Sequence, residues 1–214
     1  MVNMPSWEWV YRNACGKMQI MRLACAVCEA RLEIPTRGRS PRFCSSACRQ
    51  KAYRRRRREQ LPARMRELDR WTAADGKRPV TPTGHPASTT KPETWTTHDA
   101  VQDGPHGVML GGGLACIDLD HCISRRGKVA DWAVEIIRAV PGAVVERSVS
   151  RRGLHIFGLL PEGPGRRRGC VEIYSRARFI RTTEDIYRMG GLVDLAPAVR
   201  VAAVLQREGR IPER

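Results

Sequence analysis

No stretch of the 214-residue chain comes near the roughly 18 consecutive apolar residues that a bilayer-spanning helix needs, so no transmembrane segment and no membrane partner are expected. The N-terminus also lacks the uninterrupted apolar core of a secretory signal, because Trp7, Glu8, Trp9 and Tyr11 fall where it would lie. A cytoplasmic location is therefore expected, and the eight cysteines read first as thiols or metal ligands. There is no internal repeat. Lysine is scarce, 5 residues against 33 arginines, a bias that suits bidentate phosphate contacts and that a GC-rich coding sequence would equally produce. Acidic residues are too few to balance the basic ones. The net charge is +16, and the first 70 residues carry 17 Lys and Arg against 6 Asp and Glu. A polyanion partner follows, with its contacts concentrated in the first third of the chain.

Composition changes along the sequence. Residues 1–20 show no period and read as a tail. Residues 21–59 are rich in cysteine and arginine, with a helix expected over 45–58 that could continue through 60–74 as a linker helix past Pro62. Residues 75–98 are loop-like, with Gly76, Pro79, Pro82, Gly84, Pro86 and Pro92. Beyond them apolar runs alternate as strands. Residues 108–110 and 114–120 flank Gly111, Gly112 and Gly113 as a plausible hairpin. Helical spacing over 129–140 ends at Pro141 and Gly142, and strands are expected at 143–150, 154–160, 170–174 and 178–182. A closing helix over 192–206 would be interrupted by Pro197. The 75–214 region thus reads as a domain mixing helices with a central sheet.

Cys25 and Cys28 are followed by fifteen residues and then by Cys44 and Cys48, the spacing of a structural zinc site. Four thiolates fill the tetrahedral shell of one Zn²⁺, so such a site builds structure. So small a module cannot hold a core without a metal or disulfides. The run Arg54, Arg55, Arg56, Arg57 and Arg58 follows directly. Five arginines wrap every face of a helix, a pattern for neutralising phosphates without reading bases, and equally that of a merely solvated helix. Cys116, Cys122 and Cys170 lie in or beside strands and read as small buried hydrophobes.

The most informative stretch is Ile117-Asp118-Leu119-Asp120. On a strand both carboxylates point to one face, about 7 Å apart, where they repel each other and resist desolvation. A divalent cation removes both penalties, and hard oxygen ligands select Mg²⁺ or Mn²⁺. Alone the pattern is weak, since it also marks a polar strand end. Ser148, Ser150, Arg151, Arg152, Gly153 and His155 add groups suited to a triphosphate, and Glu172 sits between apolar neighbours where a strand would bury it.

At these residues the segment from about 77 to 183 resembles the primase–polymerase (bifunctional DNA primase/polymerase) domain of the archaeo-eukaryotic primase superfamily, in its phage and plasmid versions. The phrases "IDLDHC", "GLHI" and "VEIY" occur in the order and spacing of its three motifs, with Lys77-Arg78-Pro79-Val80 and Pro92-Glu93-Thr94-Trp95 upstream. Residues 42–54 resemble the treble-clef-like zinc fingers with an FCS signature. The resemblance implies an α+β fold, with an RRM-like catalytic sheet joined to a small α/β module and preceded by the finger and its basic helix. It implies a template-directed nucleotidyltransferase making or extending primers in phage or plasmid replication. Asp118, Asp120 and Glu172 would hold two Mg²⁺ or Mn²⁺ ions. His155 with Ser148 or Ser150 would bind the incoming NTP or dNTP, and Arg151, Arg152, Arg178 and Arg181 are further phosphate contacts. Single-stranded DNA would be held by the finger and Arg54–Arg58, and unwinding would come from a separate replicative helicase. A non-catalytic DNA-binding factor and a metal-dependent nuclease are the rival expectations.

Overall fold

Two short strands, β1 (Glu8–Arg12) and β2 (Met18–Arg22), pair antiparallel near the N-terminus of the computed structural model, where the sequence suggests only a tail. The structure describes residues 8–12, 18–22, 24–32, 41–58 and 61–213; Cys15 lies outside them. Contacts divide the chain into two units, Met1–Arg58 and Glu59–Arg214.

In the first unit the chain turns tightly after Cys25, whose N–H donates to the Ala30 carbonyl and whose carbonyl accepts from Glu29. Helix α1 (Ser46–Arg58) follows. Ser45 starts it, because its hydroxyl accepts the Cys48 N–H at 3.2 Å, one of the donors a helix leaves unpaired.

The second unit opens with one helical turn, α2 (Ala63–Arg66), then the strands β3 (Trp71–Asp75) and β4 (Arg78–Val80). Next come the turn α3 (His98–Val101), β5 (His106–Met109), β6 (Leu114–Leu119) and α4 (Asp131–Arg138). Then follow β7 (Val144–Arg147), β8 (Leu154–Leu159), β9 (Arg166–Arg168) and β10 (Val171–Tyr174). The unit ends with β11 (Phe179–Arg181), β12 (Ile186–Arg188) and α5 (Ala196–Arg207). They form two antiparallel sheets, ordered β12-β7-β8-β6-β10-β9 and β11-β5-β3-β4. The fold is α+β.

Side-chain alternation builds both cores from one sheet. Ala115, Ile117 and Leu119 of β6 face α4 and α5, packing with Trp132, Ile136, Ala198 and Leu205. Leu114 and Cys116 face the other way and pack with Trp71, Val108 and Ile180 of the smaller sheet and with Leu61 and Met65. Leu61, Met65 and Trp71 fall in the stretch expected as a linker helix, and all three are buried in this second core.

Two further expectations meet a different outcome. β5 and β6 do not form a hairpin; they belong to separate sheets. Gly111, Gly112 and Gly113 take φ of 135°, 61° and 90°, and this left-handed run carries the chain across a corner from one sheet to the other. A Cβ on Gly112 would stand 2.9 Å from the Arg70 guanidinium. Pro197 does not interrupt α5; it lies in its first turn, where the missing N–H costs nothing.

Candidate active site

Cross-strand register sets one transverse row of ionisable side chains on the larger sheet. Asp118 on β6 stands opposite His155 on β8, and His155 opposite Glu146 on β7. On the other side Asp118 opposes Glu172 on β10, which opposes Arg167 on β9. Residues directly opposite on antiparallel strands share a face, so the five side chains line up across five strands. The neighbouring row on that face is Val144, Phe157, Cys116 and Tyr174, which lies against the second core.

Asp120, just past the end of β6, joins this row. Carboxylate oxygens of Asp118, Asp120 and Glu172 lie within 4.8 Å of one another. Asp118 Oδ1 is buried and accepts no hydrogen bond, although His155 Nε2 is 3.8 Å away. Glu172 is better held: Arg167 Nε is 2.9 Å from Oε1, and the Tyr174 hydroxyl donates to Oε2 at 2.7 Å. Burial pushes the Asp118 carboxyl up; His155 pulls it down, Asp120 and Glu172 push it further up, and it comes to about 6. An orphaned buried oxygen among three convergent carboxylates is a donor set that fits a hard divalent cation.

His155 is anchored from behind. Its Nδ1 lies 2.9 Å from Glu146 Oε1, and the Glu146 side chain is fully buried. Backbone N–H groups of Thr183 and Glu184 donate to Glu146 Oε2 at 3.2 and 3.0 Å. Burial works against a proton on His155, but the hydrogen bond and charge of Glu146, then Asp118 and Asp120, outweigh it and raise its pKa above the usual 6.5. The ring therefore presents Nε2 toward the carboxylates with Nδ1 committed.

These groups open into a cleft of about 540 Å³ lined by Lys77, Ser148, Ser150, Arg167, Arg178 and Arg181 as well as the three acids and His155. Ser148 Oγ accepts the Gly153 N–H at 3.1 Å and lies 3.1 Å from Ser150 Oγ, so both serines shape the turn between β7 and β8. Gly153 permits it: a Cβ there would stand 2.9 Å from the Leu119 carbonyl. Arg178 lies over the Tyr174 ring at 4.4 Å and reaches Glu172 at 3.9 Å. Arg181 spends its guanidinium on the carbonyls of His106 and Thr182. Arg151 and Arg152 are exposed and do not line the cleft.

Of the residues expected from the sequence, Asp118, Asp120, Glu172, His155, Ser148, Ser150, Arg178 and Arg181 lie at the cleft. Glu146 and Arg167 join them unannounced, and Lys77, which the sequence offers only as part of an upstream stretch, lines the cleft as well. Glu146 had a weak signal, an acid directly after the apolar run Ala143-Val144-Val145. Arg167 had none, being one of three consecutive arginines.

In the first unit Cys25, Cys28, Cys44 and Cys48 bring their sulfurs within 4.8 Å of one another. Sγ separations of 3.5 Å (Cys28–Cys44 and Cys44–Cys48) and 3.7 Å (Cys28–Cys48) lie near the tetrahedral edge of about 3.8 Å for Zn–S bonds of about 2.3 Å. The N–H of Cys28, opposed by desolvation but joined by those of Cys44 and Val27, draws the Cys25 thiol down to about 6. The cluster could hold one zinc ion. Cys116, Cys122 and Cys170 are buried free thiols among the apolar strands. Arg54–Arg58 continue helix α1, and their side chains lie outside the described residues. Among the described residues no helix is long and apolar enough to cross a membrane.

No protein-family model matches the chain, and no curated protein matches it.

Proposed function

We propose that this chain is a template-directed nucleotidyltransferase of the primase–polymerase kind. The observation that carries the reading is the convergence of Asp118, Asp120 and Glu172 within 4.8 Å beside His155, in a cleft that also holds Lys77, Arg167 and Arg178. Three acids with cations around them suit a ligand that is both polyanionic and metal-chelating, which describes a nucleoside triphosphate. The order β6-α4-β7-β8 with β10 beside β6 also supports an RRM-like reading of the larger sheet, since it is a β-α-β-β unit completed by a fourth strand inserted next to its first.

Asp118, Asp120 and Glu172 would hold two Mg²⁺ or Mn²⁺ ions. Such ions lower the pKa of an attacking 3′ hydroxyl and offset charge on the departing pyrophosphate. Glu146 raises the proton affinity of His155, which favours donation from its Nε2 to a phosphate oxygen, and Lys77 and Arg178 add positive charge around the triphosphate tail. Ser148 and Ser150 offer hydroxyls at the mouth of the turn. The cysteine module and its run of arginines bind single-stranded template through phosphates, and covalent linkage raises the template's local concentration at the cleft.

The test is primer synthesis or extension by purified protein on a circular single-stranded DNA with nucleotides and Mg²⁺ or Mn²⁺. Incorporation supports the reading. Degradation of the DNA without nucleotides would assign the same carboxylates to a nuclease, and the absence of metal-dependent nucleotide binding would leave a DNA-binding factor.

A further inference from the structure

A second cluster of ligand-bearing side chains lies away from the cleft floor. His98 opens α3, His106 opens β5, and Glu184 lies between β11 and β12. All three are buried, at 1%, 6% and 6% exposure, and one ligand atom from each falls within 4.8 Å of the others. Trp71 walls the group on one side, with its ring 4.5 Å from that of His98 and 5.7 Å from that of His106. Its indole N–H is directed to the Met65 carbonyl and contributes nothing polar to the cluster.

Proton counting shows what the cluster lacks. His106 Nδ1 lies 2.8 Å from the Gly104 carbonyl, which can only accept, so Nδ1 carries a hydrogen. In the neutral ring Nε2 is then a lone pair, and it faces Glu184 Oε1 at 3.2 Å. The same oxygen faces His98 Nε2 at 2.8 Å. If His98 gives that oxygen its one hydrogen, its Nδ1 is left as a buried atom without a hydrogen-bond partner among the described residues. No neutral assignment of the two rings satisfies all of these atoms. A positive centre among Nε2 of His98, Nε2 of His106 and Oε1 of Glu184 relieves the lone-pair conflict at that oxygen. Each ring then keeps its hydrogen on Nδ1; that of His106 is donated to the Gly104 carbonyl, while the ion-pair partner of His98 Nδ1 is Asp99 Oδ1 at 3.7 Å, beyond hydrogen-bond distance. His106 shows the pattern of a metal-ligating histidine, with its outer nitrogen donating to a carbonyl.

We propose that His98, His106 and Glu184 form a second metal site, selective for zinc-class ions over Mg²⁺. Two imidazoles and one carboxylate suit zinc, whereas Mg²⁺ prefers an all-oxygen shell. For bonds of about 2.0–2.1 Å the tetrahedral edge is about 3.3 Å; the His106 separation of 3.2 Å matches it, and the His98 ring at 2.8 Å would move outward by about 0.5 Å to admit the ion. Three protein ligands leave a fourth position for water. The ion ties α3, β5 and the segment after β11 together. That segment's Thr183 and Glu184 N–H groups hold Glu146, so the site also braces the support of His155. The inference does not depend on the nucleotidyltransferase reading, and its readouts are independent of activity.

The test uses the full chain, equilibrated with Zn²⁺ while excess Mg²⁺ occupies the carboxylate cluster, freed of loose metal and assayed for zinc by elemental analysis. The expected result is two zinc ions per chain. Cys28→Ser with Cys44→Ser retains one, and adding Zn²⁺ to that variant raises its melting temperature. Glu184→Gln, which preserves size, weakens the remaining site at least tenfold, and His106→Ala abolishes it. A wild-type chain with one zinc, lost on the cysteine substitutions, would overturn the proposal and leave an imidazolium–carboxylate pair. Two zinc ions unaffected by both Glu184→Gln and His106→Ala would overturn it as well. If His106→Ala fails to fold, the zinc content and melting shift of the cysteine variant decide by themselves.

Discussion

Asp118 carries the conflict between stability and chemistry in this protein. Its folded carboxyl titrates near 6 against an ordinary 3.8, because it is buried beside Asp120 and Glu172. An acid raised in this way favours folding in its protonated form. That contribution is complete below 3.8 and is lost as the pH rises through about 6. In metal-free protein Asp118→Asn should therefore raise stability at neutral pH, by about 1–3 kcal/mol. Denaturant melts of both proteins in chelator check this, and the gain should vanish near pH 4. Glu146 shows the opposite case. It is fully buried and satisfied by His155 and two backbone N–H groups. Glu146→Ala should cost about 3–5 kcal/mol, because it leaves the buried His155 ring and two backbone N–H groups without their partner. The milder Glu146→Gln should fold, raise KM for nucleotide more than it lowers kcat, and shift the loss of activity at high pH downward, since His155 then loses the charge that retains its proton.

At the scale of elements, the readable parts of the sequence were those where burial and period coincide. β6, β8 and β10 are apolar runs in the core of the larger sheet, and α4 shows a helical stripe because one side of it packs on that sheet. β4, β9 and β12 were not legible. They are three-residue edge strands with exposed or half-buried side chains, and Arg166-Arg167-Arg168 carries no alternation to read. The apparent hairpin at the three glycines failed for a related reason: glycine marks a change of direction but not which partner the next strand finds. The site was legible where its acids interrupt apolar strands, and illegible where it recruits surface cations such as Lys77 and Arg167. Close packing gives a direct check on the turn between β7 and β8. Gly153→Ala sets a methyl 2.9 Å from the Leu119 carbonyl and 3.0 Å from Ser148 Oγ. It should destabilise the protein by about 1–3 kcal/mol and displace Ser148, with urea melts and nucleotide affinity falling together.

At the scale of the molecule, the proposed function assigns template binding to the first unit and catalysis to the second. The net excess of basic residues is greatest in the first third of the chain, while the cleft of the second unit combines acids and cations. Template affinity should then depend on salt through the first unit. Replacing Arg55, Arg56 and Arg57 with Gln should reduce the slope of log affinity against log salt by about 2 for single-stranded DNA, uniformly across sequences. Catalysis should depend on the second unit and its carboxylates. The most direct measurement is the rate of nucleotide incorporation on primed single-stranded DNA in Mg²⁺ or Mn²⁺, compared among the wild type, Asp118→Asn, Asp120→Asn and Glu172→Gln. Incorporation by the wild type with a loss of about a thousandfold or more in each variant is the predicted result. A wild type that incorporates nothing, or variants that keep pace with it, would contradict the account.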